Sequence, residues 1–495
     1  MEQVAALAST KRPPMSHSGA TTPGATGVMM RESTDIDLVV AGAGGGLAGA
    51  IRAAQLGQRV LLVEASKHFA HGNNTSMSTA MIPGAGTRWQ ESSGVEDSPD
   101  QFVADIMRKT KSTANAEVAR SLANVSARLV TWMADYVGVP IELVNEFAYP
   151  GHSANRCHTL PGRSGASLLQ VLLDKAAQLP ELDLLVPARL HAIHPVGPGE
   201  MLVTIVFPDE TREELTCRSV LLATNGYGAV PEMVRQYIPE IADAVYHGSS
   251  ESRGDAIRIG TELGAALDFM DAYQGHAALA TPQNTLAGWA NVMHGGVLVN
   301  GEGRRFGNET KGYSEYAREV VAQPGMTAVL ILDREIYDAC MVFDDFRQTV
   351  ESGAVRWADD AVALAESFHL PPEAVSATLT QVQNYADNGT TDEFGRTDWE
   401  HRLEPPFAGV RVTAALFHTQ GGLRVNQHAQ VLRDDYTPIT GLYAAGGAAA
   451  GISGHGAAGY LAGNGLLPAL GLAFLAAEHV AAGSAPATVD QSDDV

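Results

Sequence analysis

Four glycines fall within five positions at Gly42-Ala43-Gly44-Gly45-Gly46, between the apolar run Ile36–Ala41 and the Ala-rich stretch Leu47–Leu56. Glycines there let the backbone approach a charged group closely, and a helix opening at that point offers free N–H groups and the positive end of its dipole to a pyrophosphate. Glu64 stands 22 residues after Gly42, at the end of a second apolar run, Arg59–Val63. A carboxylate at that spacing accepts hydrogen bonds from ribose hydroxyls. The last position of the usual G-x-G-x-x-G pattern is Leu47 here, so Gly46 takes the close-packing role one residue early. A second chemically useful stretch is Gly463-Asn464-Gly465-Leu466-Leu467-Pro468, which opens a long apolar segment. Proline fits the first turn of a helix, and the Leu466 and Leu467 N–H groups at such an end can stabilise developing negative charge.

These groups need a frame that holds them. Strand, glycine turn, helix, strand and acid form the βαβ plan of a dinucleotide-binding domain. Between residues 35 and 484 the chain alternates short β-branched runs with Ala-rich helical stretches, the pattern of an α/β protein. Residues 1–34 and 485–495 show no apolar periodicity and read as mobile tails. The full length of 495 residues predicts several domains. Glycine is abundant (51 residues), well above the usual roughly 7%, and predicts tight turns and close packing of small side chains. The net charge of −23 argues against nucleic acid or an anionic membrane as partner, since phosphates would be repelled. Three cysteines, Cys157, Cys217 and Cys340, exclude a disulfide framework and a four-thiolate cluster within the chain. The apolar run Gly465–Ala477 ends at Glu478, too short to span a bilayer, and the N-terminus lacks the layout of a secretory leader, so the expected location is cytoplasmic.

His71-Gly72-Asn73-Asn74-Thr75-Ser76-Met77-Ser78-Thr79-Ala80 follows the second strand as a polar stretch of small residues. Together with Ala223-Thr224-Asn225-Gly226, Gly254-Asp255-Ala256, Gly295-Gly296-Val297, Arg305-Phe306-Gly307-Asn308-Glu309, His418-Thr419-Gln420-Gly421-Gly422 and Gly441-Leu442-Tyr443-Ala444-Ala445-Gly446, it resembles, in the same order, the fumarate reductase and succinate dehydrogenase flavoprotein superfamily. The resemblance implies FAD and an α/β fold: a Rossmann-like FAD-binding domain in two segments, 35–269 and 406–484, with an α+β capping domain inserted at 270–405. It places FAD contacts at Gly42, Gly44, Gly45, Gly46, Glu64, Ala65, Asn74, Thr75, Ser76, Met77, Leu190, Ala223, Thr224, Asn225, Asp255, Gly446, Gly465, Leu466 and Leu467. Some members attach FAD through a histidine where this chain has Asn74, which implies non-covalent FAD. Many carry a ribityl-binding Glu where this chain has Gly447.

Two histidines that hold a dicarboxylate in fumarate reductases are matched by His276 and His418. The two arginines are not kept. Tyr313 and Tyr460 stand at their positions, and without guanidiniums the bidentate partners of a carboxylate pair are gone. Lys311, two residues before Tyr313, is a candidate replacement cation, and His455 a candidate neighbour of the site. The tyrosine pair resembles the 3-ketosteroid dehydrogenases. That resemblance implies that Tyr313 takes an α-proton while Tyr460, with a backbone N–H near Gly463, polarises a ketone. The expected activity is FAD-dependent desaturation of a small-molecule ketone, cyclic or 3-ketosteroid-like, with an external electron acceptor. Reduction of an enoate or enone, and a non-catalytic electron-transfer role, are the alternatives.

Overall fold

A computed structural model describes residues 36–146, 149–399 and 401–484. The two segments read as tails, 1–34 and 485–495, lie outside the described residues.

The first sheet grows around β1 (Ile36–Ala41), whose last four residues are buried. Helix α1 (Gly46–Gln55) crosses back over the sheet, and β2 (Val60–Val63) returns parallel to β1 with Leu38 opposite Val60. Parallel pairing requires such a crossover. Gly42 makes the turn possible: its φ is +106°, and a Cβ there would lie 2.3 Å from the Ala223 carbonyl oxygen. Helix α2 (Ala116–Trp132) is capped by the Asn115 side chain, which accepts from the Glu117 and Val118 N–H groups. β3 (Leu182–Leu185) pairs beyond β2, and β4 (Arg212–Leu222) pairs on the other side of β1, both in parallel.

The second domain carries β5 (Tyr273–Ala280), β6 (Val297–Val299), α3 (Tyr313–Val321), β7 (Thr327–Asp333), α4 (Asp344–Glu351) and β8 (Phe407–Thr419). The 13-residue β8 is its spine, antiparallel to both β5 and β7. Val245–Tyr246 and Val355–Ala358 complete a six-stranded sheet, so this sheet takes strands from both sides of the 270–405 segment. The β5–β8 register slips at Gln274/Gly275 and again after His276. Irregularities of this kind re-aim side chains next to functional sites.

The chain then returns to the first sheet. β9 (Pro438–Ala444) pairs in parallel with β4 on the side away from β1. Helix α5 (Leu466–Ser484) lies against α1, where only small residues fit. A Cβ on Gly45 would stand 2.6 Å from the Ala469 Cβ, and one on Gly49 2.8 Å from the Ala473 carbonyl oxygen. α5 runs past Glu478, whose carboxylate is held by Arg52 at 2.6 Å and Arg128 at 2.9 Å. The apolar helical stretch is therefore longer than the sequence reading gave it. Leu466–Gly483 is long and apolar enough to cross a membrane, but 61% of it is buried inside the protein, with Phe474 edge-on to Trp132 at 5.1 Å. Core packing accounts for its composition.

Candidate active site

The two domains enclose a cavity of about 260 Å³. One end is built by the first sheet. The glycine turn contributes Gly42, Gly44 and Gly45, and the end of β2 contributes Glu64 and Ala65. Asn74, Thr75 and Met77 come from the loop that follows. Leu190, Ala223, Thr224, Asn225, Asp255 and Gly446 close the wall. Gly465 and Leu466 bring the N-terminus of α5 to the same cavity, beside that of α1. Glu64 is buried, and its two carboxylate oxygens accept from the Ala43 and Ser66 N–H groups, each at 2.8 Å. Burial outweighs these donors and pushes its carboxyl pKa up. Arg189, which sequence reasoning missed, also lines this end and is bound to both Glu251 and Asp255.

The other end gathers the aromatic and imidazole groups. Tyr313 opens α3, and Tyr460 lies in the loop before α5. Their rings meet edge-on at 5.7 Å, and each phenol bears on the other's ionisation. Burial raises both phenols above their ordinary pKa, while the Gly465 N–H and the Tyr313 hydroxyl act to lower Tyr460. His276 is sandwiched between Tyr313 (4.9 Å) and Phe417 (5.1 Å), and its Nδ1 accepts from the Ala278 N–H at 3.1 Å. That bond leaves the proton of the neutral ring on Nε2. His418 projects from the end of β8 with its ring 6.1 Å from Tyr460. Burial holds His276 down to about 3 and His418 to about 4, so both are neutral at physiological pH. Gly463 lines the cavity at φ +86°, with Pro83 Cδ only 2.3 Å from where a Cβ would stand.

Three residues expected at the cavity do not form its wall. Gly46 faces the sheet, where a Cβ would lie 2.8 Å from Val40 Cγ1. Ser76 is occupied with Asn73, its N–H donating to Asn73 Oδ1 and its hydroxyl to the Asn73 carbonyl, both at 2.8 Å. Leu467 is fully buried, and its N–H donates to the Gly463 carbonyl at 2.9 Å. Lys311 is exposed and gives the site only its backbone carbonyl, which accepts from Lys109 Nζ at 2.9 Å. Lys109 is instead the cation nearest the tyrosines from behind. With Glu315, 3.7 Å away, it lines a second cavity of about 10 Å³ whose opposite wall is Tyr313 and Tyr460. His455 pairs with Asp271 at 2.8 Å, outside the wall. At Gly447 a Cβ would meet Asn225 Oδ1 at 2.3 Å, so no side chain can stand where relatives place a Glu.

Tyr149, Trp289 and Asp345 also line the cavity and were not found from sequence. Tyr149 lies in an irregular loop, and Asp345 reads there as an ordinary acidic residue in a first helical turn.

A Rossmann-like sheet closed over by a second domain, with one glycine-lined and one aromatic end to the cavity, defines a dinucleotide-dependent enzyme. Residues 37–466 match the FAD binding domain family, and the chain belongs to it. It is 27% identical over 430 residues to a probable fumarate reductase of Shewanella frigidimarina, covering 86% of this chain and 71% of that protein. Among solved structures it resembles the open conformation of a flavocytochrome c3 fumarate reductase, with 25% identity, a TM-score of 0.74 and coverage of 91% of this chain and 78% of that one. It also resembles the 3-ketosteroid-Δ4-(5α)-dehydrogenase of Rhodococcus jostii RHA1, with 24% identity, a TM-score of 0.70 and coverage of 93% and 99%.

The chain is thus an FAD-dependent oxidoreductase. Its residues fit that cofactor: Asn73 Nδ2 and Thr224 Oγ1 are buried without a protein partner and line the glycine-rich end, where two helix N-termini and the Glu64 carboxylate converge. Asn74 is committed to the backbone, donating to the Phe417 carbonyl at 3.0 Å and accepting from the Ser249 N–H at 2.7 Å.

Proposed function

We propose that this protein desaturates a neutral ketone, forming a carbon–carbon double bond next to the carbonyl. One observation carries the reading: two phenols in edge-on contact stand at the aromatic end of the cavity, and among the described residues no arginine or lysine side chain joins them in the cavity wall. A ketone α-proton is weakly acidic, so enolate charge must be met as it develops. Tyr460 is placed for that task. Its hydroxyl stands beside Gly465, 3.7 Å from where a Cβ there would lie, and gives its proton toward the ketone oxygen. Tyr313 takes the α-proton. Its ring lies between the cavity and the Lys109–Glu315 side, so the proton has an exit toward solvent, and the Lys109 ammonium favours phenolate over phenol. His276 and His418, both neutral, orient the substrate by hydrogen bonding. Gly42, Gly44, Gly45 and Glu64 would hold a non-covalent FAD at the glycine-rich end, where it would supply the acceptor for the hydride from the β-carbon and pass the electrons to an external acceptor.

The test is anaerobic addition of saturated ketones to oxidised holoprotein. Bleaching of the flavin absorbance with formation of the enone is the expected result. The second reading, reduction of an enone or enoate, draws on the likeness to a probable fumarate reductase. It gains the field if no saturated ketone bleaches the flavin while enoates reoxidise the dithionite-reduced protein.

A further inference from the structure

Helix α4 starts with two aspartates that face different surroundings. Asp344 is paired with Arg347 on the same helix. Asp345 turns into the cavity, between Phe343 and Phe346, which line the same wall. Burial raises the Asp345 carboxyl and its own backbone N–H acts to lower it, and among the described residues no cation pairs with it. Arg163, over the Phe343 ring at 4.5 Å, is already paired with Glu146 at 2.5 Å. Half-buried Asp345 lines the same cavity as Tyr149, Tyr313 and Tyr460. A carboxylate held in an apolar wall without a partner is costly unless a ligand supplies one.

We propose that Asp345 selects the substrate, accepting a hydrogen bond from a hydroxyl or ammonium group that the substrate carries away from its reacting carbons. This rests on reading the cavity as the substrate site. It narrows the substrate class to hydroxy- or amino-ketones and disfavours keto acids. Burial pushes the Asp345 carboxyl up to about 6, so at neutral pH it is mostly ionised and able to accept such a donor.

The test uses oxidised holoprotein and matched ligands: hydroxycyclohexanone and aminocyclohexanone against cyclohexanedione, and a hydroxy-ketosteroid against its diketo form. Kd is read from perturbation of the flavin spectrum, which needs no turnover. In at least one series the donor-bearing member is expected to bind roughly 10- to 100-fold tighter. Asp345→Asn, nearly isosteric, is expected to abolish the preference for the amino compound while retaining FAD. Equal affinities throughout both series, no binding by any member, or a preference for the amino compound that survives in Asp345→Asn would each overturn the proposal. Donor preference without flavin bleaching would sink the desaturase reading alone; bleaching without donor preference would sink this inference alone.

Discussion

Replacing Tyr460 by phenylalanine removes one oxygen and almost no volume, so its effects divide cleanly between rate and stability. The lost hydroxyl stands beside Gly465, 3.7 Å from where a Cβ there would lie, on a ring in edge-on contact with Tyr313. An oxyanion donor of this kind contributes roughly 100- to 1000-fold to rate, about 3–4 kcal/mol at the transition state. Losing the buried hydroxyl costs on the order of 1 kcal/mol of stability, but it does so in free and substrate-bound protein alike and therefore lowers Tm and not kcat. Anaerobic stopped-flow bleaching of the flavin by a ketone reads the first effect; thermal unfolding of the holoprotein reads the second. The Tyr313→Phe and double variants complete a cycle. Two hydroxyls in contact that act as a unit on one transition state lose their function together, so the double variant should be about as slow as the slower single one. A Tyr460→Phe protein that keeps more than about a third of the wild-type rate, or a double variant whose loss is the product of the single losses, would refute the roles assigned to the pair.

Lys109→Met should slow flavin reduction by roughly tenfold for each pKa unit of phenolate stabilisation removed. Burial lowers the Lys109 pKa, so the wild-type rate should fall as pH rises through that lowered value, and a pH–rate profile of the variant should lack that limb. Gly447→Glu, which restores the residue many relatives carry, should purify with less FAD per protein and a lower Tm, because its Cβ would overlap Asn225 Oδ1, and overpacking costs about 1–3 kcal/mol. His152, His158 and His418 are each held to about 4 and His276 to about 3 by burial, all below the unfolded value near 6.5. Their stability is complete above about 6.5 and is lost as pH falls toward about 4, by up to about 1.4 kcal/mol per pH unit for each histidine. Asp345 and Glu64, both raised, oppose this with two groups against four. Denaturant midpoints should therefore drop steeply between about pH 6.5 and 4.5.

Local pattern made the nucleotide end legible and left the substrate end largely dark. β1, α1 and β2 follow from one apolar run, one glycine turn and one Ala-rich stretch, all within 30 residues, and backbone geometry there leaves little choice. Even so, Gly46, Ser76 and Leu467 sit beside the cavity without facing it. Sequence spacing does not say whether a glycine serves the ligand or the neighbouring strand, or whether an N–H is already spent on a helix turn. Lys311 shows the same limit: Gly312, at φ +127°, turns the chain so that Lys311 offers its carbonyl and Lys109, some 200 positions earlier, brings the charge. Asp345, Tyr149 and Trp289 come from a helix start and two loops with no periodic signal, and only tertiary folding sets them around one space.

The sign of the charge around the tyrosines decides what this site can accept. A dicarboxylate bound there would find no guanidinium among the described wall residues other than Arg189, which is bound to Glu251 and Asp255 at the opposite end. It would also meet Asp345. Two like charges about 6 Å apart at an effective dielectric of about 20 repel by roughly 3 kcal/mol, more than a hundredfold in affinity. The charge-assisted hydrogen bonds that two arginines would give, roughly 1.5–3 kcal/mol each, are also missing. Two neutral histidines cannot make up that difference, because burial keeps them from taking a proton. A neutral ketone escapes both penalties: its oxygen needs one good donor, which Tyr460 supplies, and a hydroxyl or ammonium elsewhere on the molecule turns the Asp345 carboxylate from an obstacle into a partner. On the proposed reading, a few side chains at the aromatic end suit the site to a neutral ketone, while the glycine-rich end keeps what FAD requires.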